Sequence, residues 1–133
     1  MDLFAGSGAF GIEAISRGAR DAVFVDNNSD AVAVIRRNLA ALGLSDRGVE
    51  QREVGTWLAS ASDRTFDVAF CDPPYSFDGW PGVFAHLHCG LAVMESKMDI
   101  EPPAGWDLVR SRRYGTTLVT IVRPVSHTER GEE

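Results

Sequence analysis

Basic charge, cysteine and long apolar runs are all scarce in this chain of 133 residues. Lysine and arginine number 13 against 19 acids, a net charge of −6. That is the wrong sign for an autonomous RNA binder, which normally carries a basic surface. The local basic clusters, Arg36-Arg37 and Arg110 to Arg113, are small and fit solvated faces of a helix and a hairpin. Two cysteines, Cys71 and Cys89, cannot make a disulfide framework, so a reduced, cytoplasmic setting is the default. No stretch is long or apolar enough to span a membrane, and the start lacks the charged-then-apolar layout of a signal peptide. His86, His88 and Cys89 match no zinc spacing, so no metal site is expected. The length suits one domain with a modest core.

Against these absences stands one dense signal, Asp72-Pro73-Pro74-Tyr75. It follows Phe66-Asp67-Val68-Ala69-Phe70-Cys71, which reads as a buried strand bounded by a breaker. Two prolines cannot continue a sheet ladder, so the chain turns out at the sheet's edge. An acid, a rigid turn and an aromatic ring then project together. The carboxylate and freed carbonyls accept N–H bonds and the ring stacks, which suits a flat, amino-bearing group. Taken alone, the tetrapeptide fits a turn with a packed tyrosine equally well.

A second signal opens the chain: Asp2-Leu3-Phe4-Ala5-Gly6-Ser7-Gly8-Ala9-Phe10-Gly11. Gly6, Gly8 and Gly11 fit G-x-G-x-x-G, which permits a tight turn and a close ligand approach at a helix N-terminus. A helix with Phe10, Ile12, Ala14 and Ile15 on its apolar face and Gly18 as its stop follows. Ala22 to Val25 then reads as a strand ending at Asp26, an acid placed to bind ribose hydroxyls. Strand, glycine loop, helix, strand and acid together predict a nucleoside site. Both NAD and S-adenosylmethionine fit it. Asp2 favours the second, because an acid beside the loop repels a pyrophosphate and attracts an ammonium or sulfonium. Hydride transfer also has no use for the Asp-Pro-Pro-Tyr turn.

The remaining elements alternate. Ser29 is placed to cap a helix from about Asp30 to Leu42, with Ala31, Ile35, Leu39 and Leu42 inward and Gly43 at the stop. A strand near Val49 to Val54 and a short helix with Trp57, Leu58 and Ala61 come next. Trp80 to His88 suits a helix blurred by Pro81 and Gly82, and Leu91 to Met94 a fifth strand. Trp106 to Arg112 and Thr117 to Val122 alternate apolar and polar residues around a Tyr114-Gly115 turn. The pattern predicts an α/β fold, a mostly parallel sheet closed by an antiparallel hairpin. The domain is expected over residues 1–124, with a polar, frayed tail at 125–133. Trp57 and Trp106 are expected in the core, Cys71 as a small buried strand-end residue, and Trp80 as a flexible wall of a base pocket.

Asp2 to Gly11, Asp26, Asp72 to Tyr75 and Arg112-Arg113-Tyr114-Gly115-Thr116 together resemble the bacterial 16S ribosomal RNA guanine-N2 methyltransferases of the RsmD type. The resemblance runs from Met1 to about Pro124. It implies a Rossmann-like class I S-adenosylmethionine-dependent methyltransferase with a seven-stranded sheet. It also implies action on the exocyclic amine of one guanine in 16S rRNA, within a small ribosomal subunit or its assembly intermediate. Asp-Pro-Pro-Tyr motifs occur too in adenine-N6 and other amino methyltransferases, so that reading stays open, as does an inactive cofactor-binding fragment. The resemblance implies cofactor contacts from Asp2, Phe4, Gly6, Ser7, Gly8, Gly11, Asp26 and Asn27. It adds Glu53 and Val54, at the expected end of the third strand, near the adenine. Asn27 fits a turn residue equally well. Asp72, Pro73 and Tyr75 would form the catalytic corner, the first two accepting amine N–H bonds and Tyr75 stacking on the base. Family members carry a further, basic segment before the first strand. Only Met1 to Phe4 precede the loop here, so the expected first strand is truncated and the chain reads as a fragment or as one whose start is misassigned.

Overall fold

A computed structural model of the chain describes residues 1–126. The polar tail expected over 125–133 falls, past Ser126, outside the described residues. Seven strands form one sheet: β1 (Asp2–Leu3), β2 (Val23–Asp26), β3 (Gly48–Gln51), β4 (Phe66–Cys71), β5 (Cys89–Ser96), β6 (Trp106–Tyr114) and β7 (Thr117–Pro124). Four helices connect them: α1 (Ala9–Ser16), α2 (Ser29–Ala41), α3 (Val54–Ser60) and α4 (Trp80–His86). The strand order is β3-β2-β1-β4-β5-β7-β6. The first five strands are parallel, and β7 runs antiparallel to both β5 and β6. The expected α/β architecture with a closing hairpin is what the chain adopts.

The order reverses at β1, which pairs with β2 on one side and β4 on the other. Ligands of open α/β sheets bind at such a switch point, beyond the carboxyl ends of the strands. β1 is only two residues long, yet both are buried and paired on both sides. Bonds from Ala5 N–H to the Val25 carbonyl (3.1 Å) and Asp72 N–H to the Leu3 carbonyl (3.5 Å) carry its pairing to the sheet edge.

Helices cover the sheet because apolar residues alternate between its faces. Leu3, Val25, Cys71 and Met94 meet Trp57, Leu58, Val83 and Phe84 of α3 and α4. Phe24 meets Ile35 and Leu39 of α2 in a second cluster. Burying side chains of this size contributes roughly 1.5–3 kcal/mol each. Trp57 is in the core as expected, and Trp106 is half-buried against Phe84.

Several local expectations shift. Asn28, not Ser29, caps α2: its extended backbone lets Oδ1 accept from Asp30 N–H (2.8 Å) and Ala31 N–H (3.1 Å), while Ser29 is already helical. The buried stripe of α2 is Val32, Ile35 and Leu39; Leu42 lies past the last helical residue and is exposed. In α1 the buried residue is Gly11, and Phe10 instead stacks on Phe70 at 5.1 Å while staying partly exposed. β3 ends at Gln51 rather than Val54, because Glu53 has turned to cap α3. β6 shows no buried alternation from Leu108 onward, since it is an edge strand with an irregularity between Leu108 and Arg110. Its turn to β7 is the two-residue Gly115-Thr116, with Gly115 at φ 61°. Pro81 stands in the first turn of α4, where its missing N–H costs nothing.

The packing of α1 on β2 depends on Gly11. A Cβ there would press into Phe24 Cε1 and lie 2.8 Å from Cζ, and Phe24 is fully buried. Gly11→Ala is therefore expected to lower stability by about 1–3 kcal/mol, as overpacking does. Denaturant unfolding checks this; an unchanged midpoint would contradict the contact.

Candidate active site

The glycine loop crosses the switch point between β1 and α1. Its backbone is left-handed at alternate residues: φ is 57° at Phe4, 58° at Gly6 and 81° at Gly8. Glycine adopts this freely, but a bulky residue such as Phe4 does so at a cost of order 1–3 kcal/mol. The Phe4 ring is held edge-on to Phe77 at 5.0 Å. Phe77 in turn packs edge-on to Trp80 at 5.2 Å.

Two carboxylates fasten the loop. Asp2 Oδ2 accepts from Gly11 N–H at 3.0 Å, below the loop, and Asp2 is only 1% exposed. Asp26 Oδ2 accepts from Gly6 N–H at 3.0 Å, across the loop from the end of β2. Asp26 Oδ1 accepts from Asn28 N–H at 2.9 Å. Loop closure continues with Gly8 N–H on the Ala5 carbonyl (2.8 Å) and Asn38 Nδ2 on the Ser7 carbonyl (2.9 Å).

The second corner leaves the end of β4. Pro73 is buried, whereas Asp72, Pro74 and Tyr75 are exposed, Tyr75 by 66%. Phe77 N–H closes a turn on the Pro74 carbonyl at 2.9 Å. Among the described residues no N–H bonds the Pro73 carbonyl, which leaves that acceptor open. Lys97 Nζ stands 4.0 Å from the centre of the Tyr75 ring.

These two corners share one crevice of about 480 Å³, lined by Phe4, Asp26, Asn27, Asn28, Asp72, Pro73, Pro74 and Tyr75. Six of the residues expected at the site therefore meet: Phe4, Asp26, Asn27, Asp72, Pro73 and Tyr75. Gly6 and Ser7 are exposed on the loop beside it, and nothing lies within 4 Å of where a Gly6 Cβ would stand. Gly8 and Gly11 are buried against Phe24 and shape the loop from behind.

Three further expected cofactor contacts, Asp2, Glu53 and Val54, lie elsewhere. Asp2 does not line the crevice; it is buried under the loop, so its carboxylate holds backbone rather than facing a ligand cation. Glu53 caps α3, accepting from Gly55 N–H (2.9 Å), Thr56 N–H (2.6 Å) and Thr56 Oγ1 (2.8 Å). The Thr56 and Gly55 bonds also hold its carboxyl below the usual range. Val54 is buried in the core. Trp80, expected as a pocket wall, instead begins α4 and packs behind Phe77. Sequence reasoning missed Asn28, which lines the crevice and whose Asn-Ser-Asp context is a helix-cap signal. Among the described residues no group of three or more His, Cys, Asp or Glu is placed to hold a metal ion. No helix among them is long and apolar enough to cross a membrane.

The sheet order, the glycine elbow at the switch point and the carboxylate ending β2 define the fold of class I methyltransferases. The sequence profile described as Conserved hypothetical protein 95 matches residues 1–123. The chain belongs to that family, the RsmD family. It is 33% identical to Bacillus subtilis YlbH over 92% of this chain and 74% of that protein. It is 33% identical to ribosomal RNA small subunit methyltransferase D of Escherichia coli over 86% of this chain, and spans 63% of that protein. An RNA methyltransferase structure from Salinibacter ruber, in complex with S-adenosyl-L-homocysteine, superposes with a TM-score of 0.66 at 24% identity. That superposition covers 99% of this chain and 84% of the other.

Burial raises the Asp2 carboxyl from 3.8 to about 6, opposed by the Gly11 N–H and the Met1 ammonium. A carboxyl raised in the folded state stabilises most below its unfolded value, and that contribution is lost as pH climbs through the folded one. A rise of this size corresponds to about 3 kcal/mol. Asp2→Asn, which keeps an acceptor for Gly11, should therefore gain on the wild type by about that amount between pH 4 and 7. Parallel unfolding midpoints across this range would contradict the assignment.

Proposed function

We propose that this protein transfers a methyl group from S-adenosylmethionine to the exocyclic N2 amine of a guanine in 16S ribosomal RNA. The observation that carries the reading is the shared crevice, which has the Asp26 carboxylate and the Asp72-Pro73-Tyr75 corner on one surface. Its size lies within the usual range of small-molecule sites. The names of the relatives, rRNA methyltransferases among them, support an RNA substrate.

The residues fit the cofactor. A carboxylate has about four lone-pair sites. Asp26 spends one per oxygen on backbone N–H groups, which leaves acceptors at the crevice for a ribose diol. The open space above Gly6 lets a ligand lie directly on the loop backbone. Ser7 and Asn27 edge this half of the site, and Phe4 forms its wall toward the second corner. Asp2, Gly8 and Gly11 act indirectly, by holding the loop in shape. Bound there, S-adenosylmethionine supplies a methyl group already activated on a sulfonium, so the protein needs no nucleophile of its own.

The acceptor side has to improve a poor nucleophile, since the guanine amine lone pair is delocalised into the ring. Asp72 and the open Pro73 carbonyl accept its two N–H bonds. That orients the lone pair and stabilises positive charge as it develops on nitrogen. Tyr75, exposed at the mouth, stacks on the base once it has left its own stack. Arg110 and Arg112 lie exposed on the outer strand β6, available to phosphates despite the acidic balance of the chain. The working unit is residues 1–124, the setting cytoplasmic, and the partner a small ribosomal subunit or its assembly intermediate.

Asp72→Ala should abolish methyl transfer to small ribosomal subunits, a loss of about a hundredfold or more, while S-adenosylmethionine binding by calorimetry changes little. Tritiated methyl incorporation into small subunits, free rRNA and DNA measures the substrate. Undiminished turnover in the variant would contradict the acceptor role, and preferred methylation of DNA would favour an adenine-N6 activity.

A further inference from the structure

Phe70 of β4 and Val93 of β5 are paired in a parallel ladder, and Cys71 pairs with Met94 one step on. Side chains two residues apart along a strand share a face. Asp72 and Glu95 are each two residues beyond the Phe70–Val93 pair, and adjacent strands lie about 4.8 Å apart. The two carboxyls therefore emerge side by side at the carboxyl edge of the sheet. This is also the face on which Phe10 of α1 stacks upon Phe70, so the pair opens toward the glycine-loop side.

We propose that Glu95 is a positioning residue for Asp72: it holds one proton between the two carboxyls and so fixes which Asp72 oxygen faces the acceptor amine. This rests on the methyl-transfer reading above and deepens it. Two bare carboxylates at this separation repel, whereas one proton between them makes a strong charge-assisted bond. The surroundings favour the shared proton. Glu95 is half-buried, and desolvation, followed by the Asp72 charge and the Asp72 hydrogen bond, raises its carboxyl above the ordinary value. On the β7 side its partner is Val119, which carries no charge; Arg112 of β6 lies one strand further out in the same row. Lys97, the nearest cation along the chain, is drawn to the Tyr75 ring. Asp26 lines the same crevice as Asp72, and the Asp2 and Asp72 charges oppose each other, which further favours keeping the proton.

With the proton in place, Asp72 presents an ionised oxygen to the substrate while the pair carries a single negative charge. When that proton leaves at high pH, the carboxyls push apart and Asp72 loses its aim. Gln in place of Glu95 donates permanently from its amide and should mimic the protonated state. Ala removes the contact.

The test uses the full chain with 13C-labelled carboxyls, followed by NMR from pH 3 to 10, beside methyl transfer on small subunits. In the wild type the Glu95 carbon is expected to titrate above the ordinary glutamate range, and in D72N at lower pH. Turnover should fall about tenfold to a hundredfold in E95A, with S-adenosylmethionine affinity unchanged. E95Q should stay within a few-fold of wild type and lose the alkaline decline. A Glu95 titration identical in wild type and D72N would overturn the proposal, as would E95Q turnover as low as that of E95A. A coupled titration in a wild type that methylates nothing would uphold the carboxyl pair and overturn the methyl-transfer reading instead.

Discussion

The site depends on a backbone loop held open by two carboxylates. Asp2 pulls Gly11 N–H from beneath and Asp26 pulls Gly6 N–H from the side. Between those anchors the chain makes three left-handed residues in five and enters α1 through a glycine cap. A loop so fixed leaves open space above Gly6, beside the crevice that the Phe4 ring lines. That is why a flat ligand can approach closely there. The same anchors explain why Asp2 tolerates burial: the bond it makes partly offsets the cost of leaving water.

The loop's position is set in turn by Phe24. Its buried ring fills the space under Gly8 and Gly11, so neither glycine has room for a side chain without movement. Packing, hydrogen bonding and backbone freedom thus point to one conformation. The local exception is Phe4, which bears a left-handed backbone without being glycine. Its ring lines the crevice and leans on Phe77, four residues past Pro73. Strain at the first corner is therefore compensated by packing from the second, which couples the glycine-loop side of the crevice to its Asp72 side.

Much of this was legible in the sequence where a motif is contiguous. The glycines, Asp26 and Asp72 to Tyr75 carry their geometry with them, because glycine and proline restrict the backbone locally. Strand β4 is visible from its apolar run and β7 from its alternation of apolar and polar residues. The misses are of another kind. Glu53 looked like a strand end because nothing in Val49 to Val54 marks where the ladder stops; its bonds to Gly55 and Thr56 decide it. Asp2 looked like a ligand-facing acid because sequence does not reveal which side of a loop a carboxylate lies on. Ser29 and Asn28 are both good caps, and only the backbone chooses between them. Glu95 was invisible because its meaning depends on β5 lying next to β4, 23 residues away in sequence but adjacent in the sheet.

The central claim is that a cofactor lying on the glycine loop brings its methyl group into the crevice beside the Asp72 corner. Titrating S-adenosylmethionine into 15N-labelled protein tests it directly, by the backbone amide shifts of Gly6, Ser7 and Asn27 at one corner and of Asp72 and Tyr75 at the other. The account predicts that both groups move together along one saturation curve. Shifts at the glycine loop alone, with Asp72 and Tyr75 unmoved at saturation, would contradict it.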